Sequence, residues 1–266
     1  MLTPSSSAQP LIGATAAILA GFVNSIAGGG TLLTFPALVA AGLTPLQANA
    51  TSTVALLPSA LSSMLGYRSE LAGVRRWAAI FALPSFVGGG IGAVLLLHTS
   101  NAAFSRIVPW LVLGATTLFL LQRPLLRLVR GPRTSEREGG DVARSAQDPS
   151  MALLAAQLAV GIYGGYFGAG IGILMLAALG FMGFTNIHRM NGLKNWGSFC
   201  VNLVAAGWFA ASGIVHWPVA LGMAVGSIVG GYVGARAAQR VPQGVVRGAV
   251  AVVGVLSGVW LLVRQL

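Results

Sequence analysis

Residues 151–184 read MALLAAQLAVGIYGGYFGAGIGILMLAALGFMGF, an uncharged stretch with Gly168-Ala169-Gly170-Ile171-Gly172 at its middle. A helix that spans a bilayer needs about 20 apolar residues, and this stretch is longer than one such helix. Because glycine is unfavourable inside a helix, the run predicts two short helices that meet at a break. Residues 11–43 show the same pattern around Gly28-Gly29-Gly30. We therefore predict two glycine-broken units in the chain.

The composition of the whole chain indicates a membrane protein. Of its 266 residues, 55% are hydrophobic and 8% are charged, whereas a soluble domain carries about 25% charged residues. Intrinsic disorder is excluded, because it needs low hydrophobicity and high charge. The net charge of +11 comes from arginines that mostly flank apolar runs or lie in one central stretch. We assign them to lipid headgroups, so the lipid bilayer is an expected partner and nucleic acid is not.

The hydropathy pattern, together with the repeated motifs described below, predicts an all-α membrane protein, a polytopic helical bundle of two homologous halves with about eight spans and a glycine-broken first helical unit in each half. We divide the chain into an N-terminal transmembrane repeat (1–121), a cytoplasmic linker (122–150) that holds four of the five acids, and a C-terminal transmembrane repeat (151–266). Four segments are long enough to span a bilayer and two are shorter: 46–66, 77–97, 217–235 and 245–263, then 107–121 and 195–211.

Two motifs recur at one offset and indicate an internal repeat. Gly28-x-Gly30 recurs as Gly168-x-Gly170, and the same interval separates Gly73-x-x-x-Trp77 from Gly213-x-x-x-Trp217. Arginines lie in the loop near 67–76 but not in its counterpart near 208–217. In the next pair of loops, the second half carries more arginines than the first. Under the positive-inside bias this alternation predicts an inverted repeat. Eight plain spans in parallel repeats are the alternative.

The sequence lacks the motifs of an enzyme or a metal site. Cys200 is the only cysteine, and the three histidines lie in separate loops. Glu70 is the only acid outside the linker, so no carboxylate pair is available for acid/base catalysis. We therefore expect no catalytic residue, no metal and no cofactor. A proton relay through carboxylates is also disfavoured.

Polar residues cluster at the glycine breaks and just after them, which predicts a substrate site. A broken helix points N–H groups with a partial positive charge into a cavity, and such an end binds anions. Irregular backbone at membrane depth is tolerated only where it is buried or lines a cavity. The predicted substrate-binding residues are Asn24, Gly29, Gly30, Thr31, Asn49, Thr51 and Ser52, followed by Gly168, Gly170, Arg189, Asn191, Lys194 and Asn195.

Each of these residues also has a purely structural interpretation. Glycines permit close helix packing, and Ser or Thr in membrane helices often bonds its own backbone. Arg189 and Lys194 could extend to the membrane interface, where we also place Trp77 and Trp217 as anchors. The correspondence between the two halves favours the functional interpretation.

Residues 21–61, GFVNSIAGGGTLLTFPALVAAGLTPLQANATSTVALLPSAL, resemble the sulfite exporter TauE/SafE family of membrane permeases. The similarity rests on the glycine-rich break, on Pro36 and on Ala48-Asn49-Ala50-Thr51-Ser52. In the second half, GGYFGAGIGILMLAALGFMGF and RMNGLKN resemble the family's second repeat. This half has no counterpart of Pro36, and Gly192-Leu193 replaces Thr51-Ser52. The resemblance implies a multi-pass inner-membrane transporter that moves sulfite or organosulfonates, usually outward.

We therefore expect export of a small sulfur-containing anion through a midplane site between the two repeats. Anion export needs no coupled ion, because an inside-negative potential favours exit by about 2.3 kcal/mol per charge per 100 mV. The alternatives are an anion channel, an uptake permease for another small oxyanion, and a non-catalytic accessory membrane subunit. The chain could also form a homodimer.

Overall fold

The computed structural model describes residues 18–21, 30–66, 74–130, 151–181, 184, 187–237 and 243–263. All regular secondary structure in these ranges is helical, which confirms the prediction of an all-α protein. Residues 18–21 are helical, and nine longer helices follow: α1 (Thr31–Ala40), α2 (Pro45–Gly66), α3 (Arg75–His98), α4 (Asn101–Arg130), α5 (Met151–Tyr166), α6 (Ile171–Phe181), α7 (Ile187–Ser212), α8 (Trp217–Ala237) and α9 (Gln243–Val263).

The predicted break within residues 151–184 is present between α5 and α6. At the end of α5, the main-chain N–H groups of Phe167 (2.9 Å) and Gly168 (3.2 Å) both donate to the carbonyl oxygen of Tyr163. Gly168 and Gly170 have φ angles of +80° and +77°. L side chains rarely adopt this region, so glycine forms the turn without strain.

The first half has a helix start at the matching place. α1 begins at Thr31, and Gly30 before it has helical backbone angles (φ −56°, ψ −38°). Gly28 and Gly29 belong to residues 22–29, which lie outside the described part of the chain. A short helix thus begins directly after the glycine run in both halves.

The helices after each break follow the same order and nearly the same spacing. One interval relates the starts of α2, α3 and α4 to those of α7, α8 and α9, and the interval from α1 to α6 is slightly shorter. From the start of the short helix to the start of the next long one, the second half therefore has two more residues, one of them within the short helix and one after it. By helix position Ser52 corresponds to Lys194, instead of the Gly192-Leu193 match that the sequence alone suggested.

The four longer predicted spans lie within α2, α3, α8 and α9, and the two shorter ones lie within the longer helices α4 and α7. Among the described residues, the helix Arg75–His98 meets both the length and the hydropathy expected of a span, and five shorter apolar helices accompany it. The outside of the bundle carries large apolar side chains, with Leu83, Trp110, Val225 and Leu256 each more than half exposed. Such a surface suits an apolar surrounding.

Helix α4 is longer than the sequence predicts. It continues to Arg130, so residues 122–130, predicted as the start of the linker, are helical. Leucine and arginine, which are strong helix formers, make up most of this segment, although Pro124 lies within it. Residues 131–150 lie outside the described part.

The most extensive helix contact joins α3 of the first half to α5 of the second. A Cβ atom at Gly88 would lie 2.9 Å from the Cα atom of Gly161, so the two backbones touch without room for a side chain. Next to this seam, the amide of Gln157 donates a hydrogen bond to Ser85 (2.8 Å). Glycine therefore serves helix packing at these two positions.

The two halves interlock. α3 packs on α5 and α7, while α2 packs on α7 and α8. Ser227 of α8 donates to the carbonyl oxygen of Ala55 in α2 (2.9 Å), and the carbonyl of Ile18 lies against Gly230 of α8. The contacts of α3 with the second half thus resemble those of α8 with the first, and the two predicted repeats do not pack as separate units.

One residue predicted at the membrane interface is buried. Trp77 is 4% exposed and packs edge-to-face on Phe184, with ring centroids 4.8 Å apart. The prediction of Trp77 as an interfacial anchor is wrong, because this face of α3 packs into an apolar cluster with the α6 and α7 side chains. Trp217, at 44% exposed, is accessible for that role.

Candidate functional site

A cavity of about 60 Å³ lies where α1 and α6 begin. Gly30, before α1, and the break between α5 and α6 both reach it, and α2 and α7 form its sides. The lining residues are Gly30, Thr31, Thr53, Leu56, Ala60, Phe167, Gly168, Gly170, Ile171, Gly172, Lys194, Asn195, Ser198 and Asn202. Since they come from both halves, the cavity exists only in the assembled bundle.

Two helix N-termini contribute to this cavity. Gly30 and Thr31 belong to the start of α1, and Gly170 and Ile171 belong to the start of α6. The first N–H groups of an α-helix have no partner within the helix, and the aligned peptide dipoles give that end a partial positive charge. Two such ends at one cavity favour a negatively charged occupant.

Lys194 is the one cationic side chain among the described residues that line the cavity. Its aliphatic stem passes over Gly172, where an added Cβ atom would lie 3.1 Å from Lys194 Cδ. Every Asp and Glu of the chain, Glu70 and four residues between 136 and 148, lies outside the described ranges. Within the described part, therefore, no carboxylate neutralises Lys194.

The two side walls of the cavity differ in chemistry. The wall from α7 carries two amides and a hydroxyl, whereas the wall from α2 carries one hydroxyl and two apolar side chains. Counted from the start of each helix, every lining residue of α2 has a lining residue of α7 at the same position. The pairs are Thr53 with Asn195, Leu56 with Ser198, and Ala60 with Asn202.

The break between α5 and α6 is held by two side-chain hydrogen bonds. The hydroxyl of Tyr163 donates to the carbonyl oxygen of Ala169 (2.6 Å). The side-chain amide of Asn49, on α2, donates to the carbonyl oxygen of Tyr166 (3.0 Å). Asn49 is 1% exposed, so this bond is shielded from solvent and connects the two halves.

The structure places the predicted site residues in three groups. Those at the cavity are Gly30, Thr31, Gly168, Gly170, Lys194 and Asn195. Those in described positions away from the cavity lining are Asn49, Thr51, Ser52, Arg189 and Asn191. Asn24 and Gly29 lie outside the described residues.

Thr51 and Ser52 make contacts elsewhere in the bundle. The main-chain N–H of His216 donates to Thr51 Oγ1 (3.0 Å), and Ser52 Oγ lies 2.6 Å from Oγ1 of Thr34 on α1. Successive residues of an α-helix point about 100° apart. Of the hydroxyl run 51–53, only Thr53 therefore reaches the cavity.

The sequence-based site omitted three polar lining residues: Thr53, Ser198 and Asn202. A sequence signal for two of them exists, because Asn195, Ser198 and Asn202 are three and four residues apart and share one helix face with Lys194. Among the described residues, no group of three or more His, Cys, Asp or Glu side chains could hold a metal ion.

Comparison with known proteins gives a family over nearly the whole chain. Residues 13–261 match the family described as sulfite exporter TauE/SafE. A probable membrane transporter protein of Haemophilus influenzae is 30% identical over 206 residues, which cover 77% of this chain and 75% of that protein. The probable membrane transporter protein YfcA of Escherichia coli K12 is 31% identical over 207 residues, which cover 75% and 72%.

A third relative, the probable membrane transporter protein ORF9 of a Sinorhizobium species, is 31% identical over 210 residues, which cover 77% of this chain and 74% of that protein. No solved structure is significantly similar. The match extends across both glycine breaks and all four helices that bound the cavity. The chain belongs to the sulfite exporter TauE/SafE family of multi-pass membrane transporters.

Proposed function

We propose that this protein exports a small sulfur-containing anion, sulfite or an organosulfonate, through the cavity between its two halves. The observation that carries the proposal is Lys194 beside two helix N-termini, with no carboxylate among the described residues. A partly buried cation and two positive helix ends are favourable only if an anion shares the cavity. The match to the sulfite exporter TauE/SafE family supports a substrate that contains sulfur.

The size of the cavity supports a small oxyanion. One water needs about 10–15 Å³ of such space, so about 60 Å³ accommodates roughly four waters. A central atom with three oxygens occupies a similar number of heavy-atom positions. Sulfite therefore fits the observed conformation more readily than a longer organosulfonate does.

The charges of the chain support outward movement at the inner membrane. A membrane potential that is negative inside drives a monoanion outward by about 2.3 kcal/mol per 100 mV, and a dianion by about twice as much. Accumulation inward would need a coupling ion, and carboxylates that usually bind one are missing from the described helices. Export therefore requires the fewest additional assumptions.

We also propose that the two halves are inserted in opposite directions. Two contact patterns support this. The N–H of Leu46, at the start of α2, faces Asn101 Oδ1 (3.4 Å), which follows the end of α3; α2 and α3 therefore run in opposite directions. α3 and α7 run in the same direction, since Ala78 accepts a hydrogen bond from Trp196 and Gly89 lies against Val201. The equivalent helices α2 and α7 then oppose each other, as an inverted repeat requires.

Anion binding to the purified protein tests the site. Sulfite, thiosulfate, taurine and sulfoacetate are titrated against wild type and Lys194→Met, with unfolding temperature and calorimetry as readouts. We expect sulfite to stabilise wild type and Lys194→Met to bind it at least about 30-fold more weakly, because a desolvated charge partner is lost. Arg106→Gln is the matched control, since Arg106 is an exposed cation away from the cavity.

Proteoliposomes test the transport step. Sulfite efflux should accelerate when the potential is set negative inside, and it should saturate with substrate concentration. Single-channel currents would instead favour the anion channel. If none of the four anions stabilises wild type, or if Lys194→Met responds as wild type does, the proposed site is wrong.

A further inference from the structure

A broken helix presents two ends of opposite polarity to the same place. The N-terminus of α6 offers N–H donors, but the C-terminus of α5 offers carbonyl oxygens with a partial negative charge. In broken transporter helices, such bare carbonyls and helix C-termini coordinate cations. A cavity that binds anions beside this break therefore has to neutralise the carbonyl end.

Some carbonyl oxygens at the break accept hydrogen bonds from main-chain N–H groups. The carbonyl oxygen of Tyr163 accepts from two N–H groups, as described above. That of Gly168 accepts from Ile171 N (3.3 Å), and that of Gly170 accepts from Ile173 N (2.9 Å). These bonds follow from the local turn and need no side chain.

Two further carbonyls of the break take their donors from side chains. Ala169 O accepts from the Tyr163 hydroxyl at 2.6 Å, which is short for an O–H···O bond. Tyr166 O accepts from the Asn49 amide at 3.0 Å. Asn49 reaches the break from the other half of the chain, so this donor is available only when the halves are assembled.

We propose that Tyr163 and Asn49 determine the charge selectivity of the cavity by occupying the carbonyl oxygens of Ala169 and Tyr166. Neither carbonyl residue lines the cavity, but both adjoin residues that do. With these acceptors engaged, the positive end of the α6 dipole and Lys194 dominate the charge at the cavity, and an anion meets little opposing charge. Tyr163 and Asn49 are both positioning residues, since neither lines the cavity. This inference rests on the proposed anion site and assigns the side chains that give that site its polarity.

The test compares variants that remove one donor each. Tyr163→Phe deletes the hydroxyl and keeps the ring, and Asn49→Leu deletes the amide at similar volume. Thr117→Val is the matched control, because the Thr117 hydroxyl donates to the carbonyl oxygen of Leu113 (2.8 Å) on an exposed face of α4, outside the cavity lining. Binding of sulfite, at a pH where it is a dianion, and of methanesulfonate, a monoanion, is measured by calorimetry. The unfolding temperature of each variant is recorded as well.

The expected result depends on the charge of the ligand. An exposed carbonyl repels an anion in proportion to its charge, so the free-energy effect doubles from monoanion to dianion and the ratio of dissociation constants is squared. We expect about fivefold weaker binding of methanesulfonate and about 25-fold weaker binding of sulfite in Tyr163→Phe, with a similar pattern in Asn49→Leu. Thr117→Val should bind both anions as wild type does.

Other outcomes separate this inference from the proposed function. Equal losses for the two anions indicate a general distortion of the cavity and overturn the charge-selectivity role. If both donor variants bind the anions with wild-type affinity while Lys194→Met binds them more weakly, the charge-selectivity role is overturned but the proposed anion site is supported. If wild type binds neither anion, the proposed function fails and this inference fails with it. Either donor variant suffices for the comparison if the other does not fold.

Discussion

Helices α2 and α7 line the cavity from equivalent positions in the two halves, yet their hydroxyl groups differ in how strongly they are bonded within the protein. The hydroxyl of Thr53 on α2 donates to the carbonyl oxygen of Asn49 in its own helix (2.9 Å). The hydroxyl of Ser198 on α7 lies 3.5 Å from Met175 Sδ, and a thioether is a weak acceptor. A ligand can therefore compete for Ser198 far more easily than for Thr53.

The difference shows how two similar backbones can form one asymmetric site. In both halves a short helix and one face of a long helix lie at the cavity, but the side chains on the two long helices differ in chemistry. α7 supplies Lys194 together with Asn195, whereas Leu56 and Ala60 of α2 close the opposite side. Four substitutions test this division, and sulfite affinity is the common measurement.

The largest effect is expected from Ser198→Leu, which gives α7 the side chain that α2 carries at the equivalent position. It removes a hydroxyl and places two more heavy atoms in a cavity of about 60 Å³. Sulfite affinity should fall about 100-fold in calorimetry, since overpacking and a lost polar contact add. The reciprocal Leu56→Ser should change affinity less than about threefold. Equal effects would contradict the division of functions between the walls.

Asn195→Ala should have the second largest effect. A hydrogen bond to a charged ligand contributes about 1.5–3 kcal/mol, so its loss should weaken sulfite binding about 10-fold or more. Asn101→Ala is the control, because Asn101 is an exposed amide outside the cavity. Thermal-shift titrations of both variants give the comparison, and an unchanged Asn195→Ala would remove this amide from the site.

Gly172→Ala should act through Lys194. The new Cβ would lie 3.1 Å from Lys194 Cδ, so the stem has to move, and we expect about fivefold weaker binding. In a Lys194→Met background the same substitution should have no further effect, which a double-mutant cycle measures. Gly114→Ala is the control, since nothing lies within 4 Å of a Cβ there. Additive effects would contradict the coupling.

Thr53→Val should have the smallest effect, about twofold at most, because its hydroxyl is already bonded to its own helix. Equilibrium binding at constant ionic strength is sufficient to resolve it. A loss as large as that of Asn195→Ala would mean that both walls bind the anion.

Part of this site was predictable from sequence because backbone chemistry dictates it. The break at Gly168 and Gly170 follows from glycine, which adopts positive φ without strain. The sequence also indicated Lys194 as a candidate residue, since a cation after such a break suits an anion. Thr51 and Ser52, which the sequence analysis grouped with the site residues, do not line the cavity, because helix rotation directs neighbouring side chains to different partners.

The amino-acid sequence by itself determined the helical membrane class, the position of the second break and the excess of positive charge, because these depend on composition and local backbone preference. Only the tertiary structure decided which polar residues meet. Asn49 reaches the break of the opposite half, and Trp77 is buried beneath Phe184. Both outcomes depend on how helices from the two halves interlock, and no local pattern encodes the rotation of one helix against another.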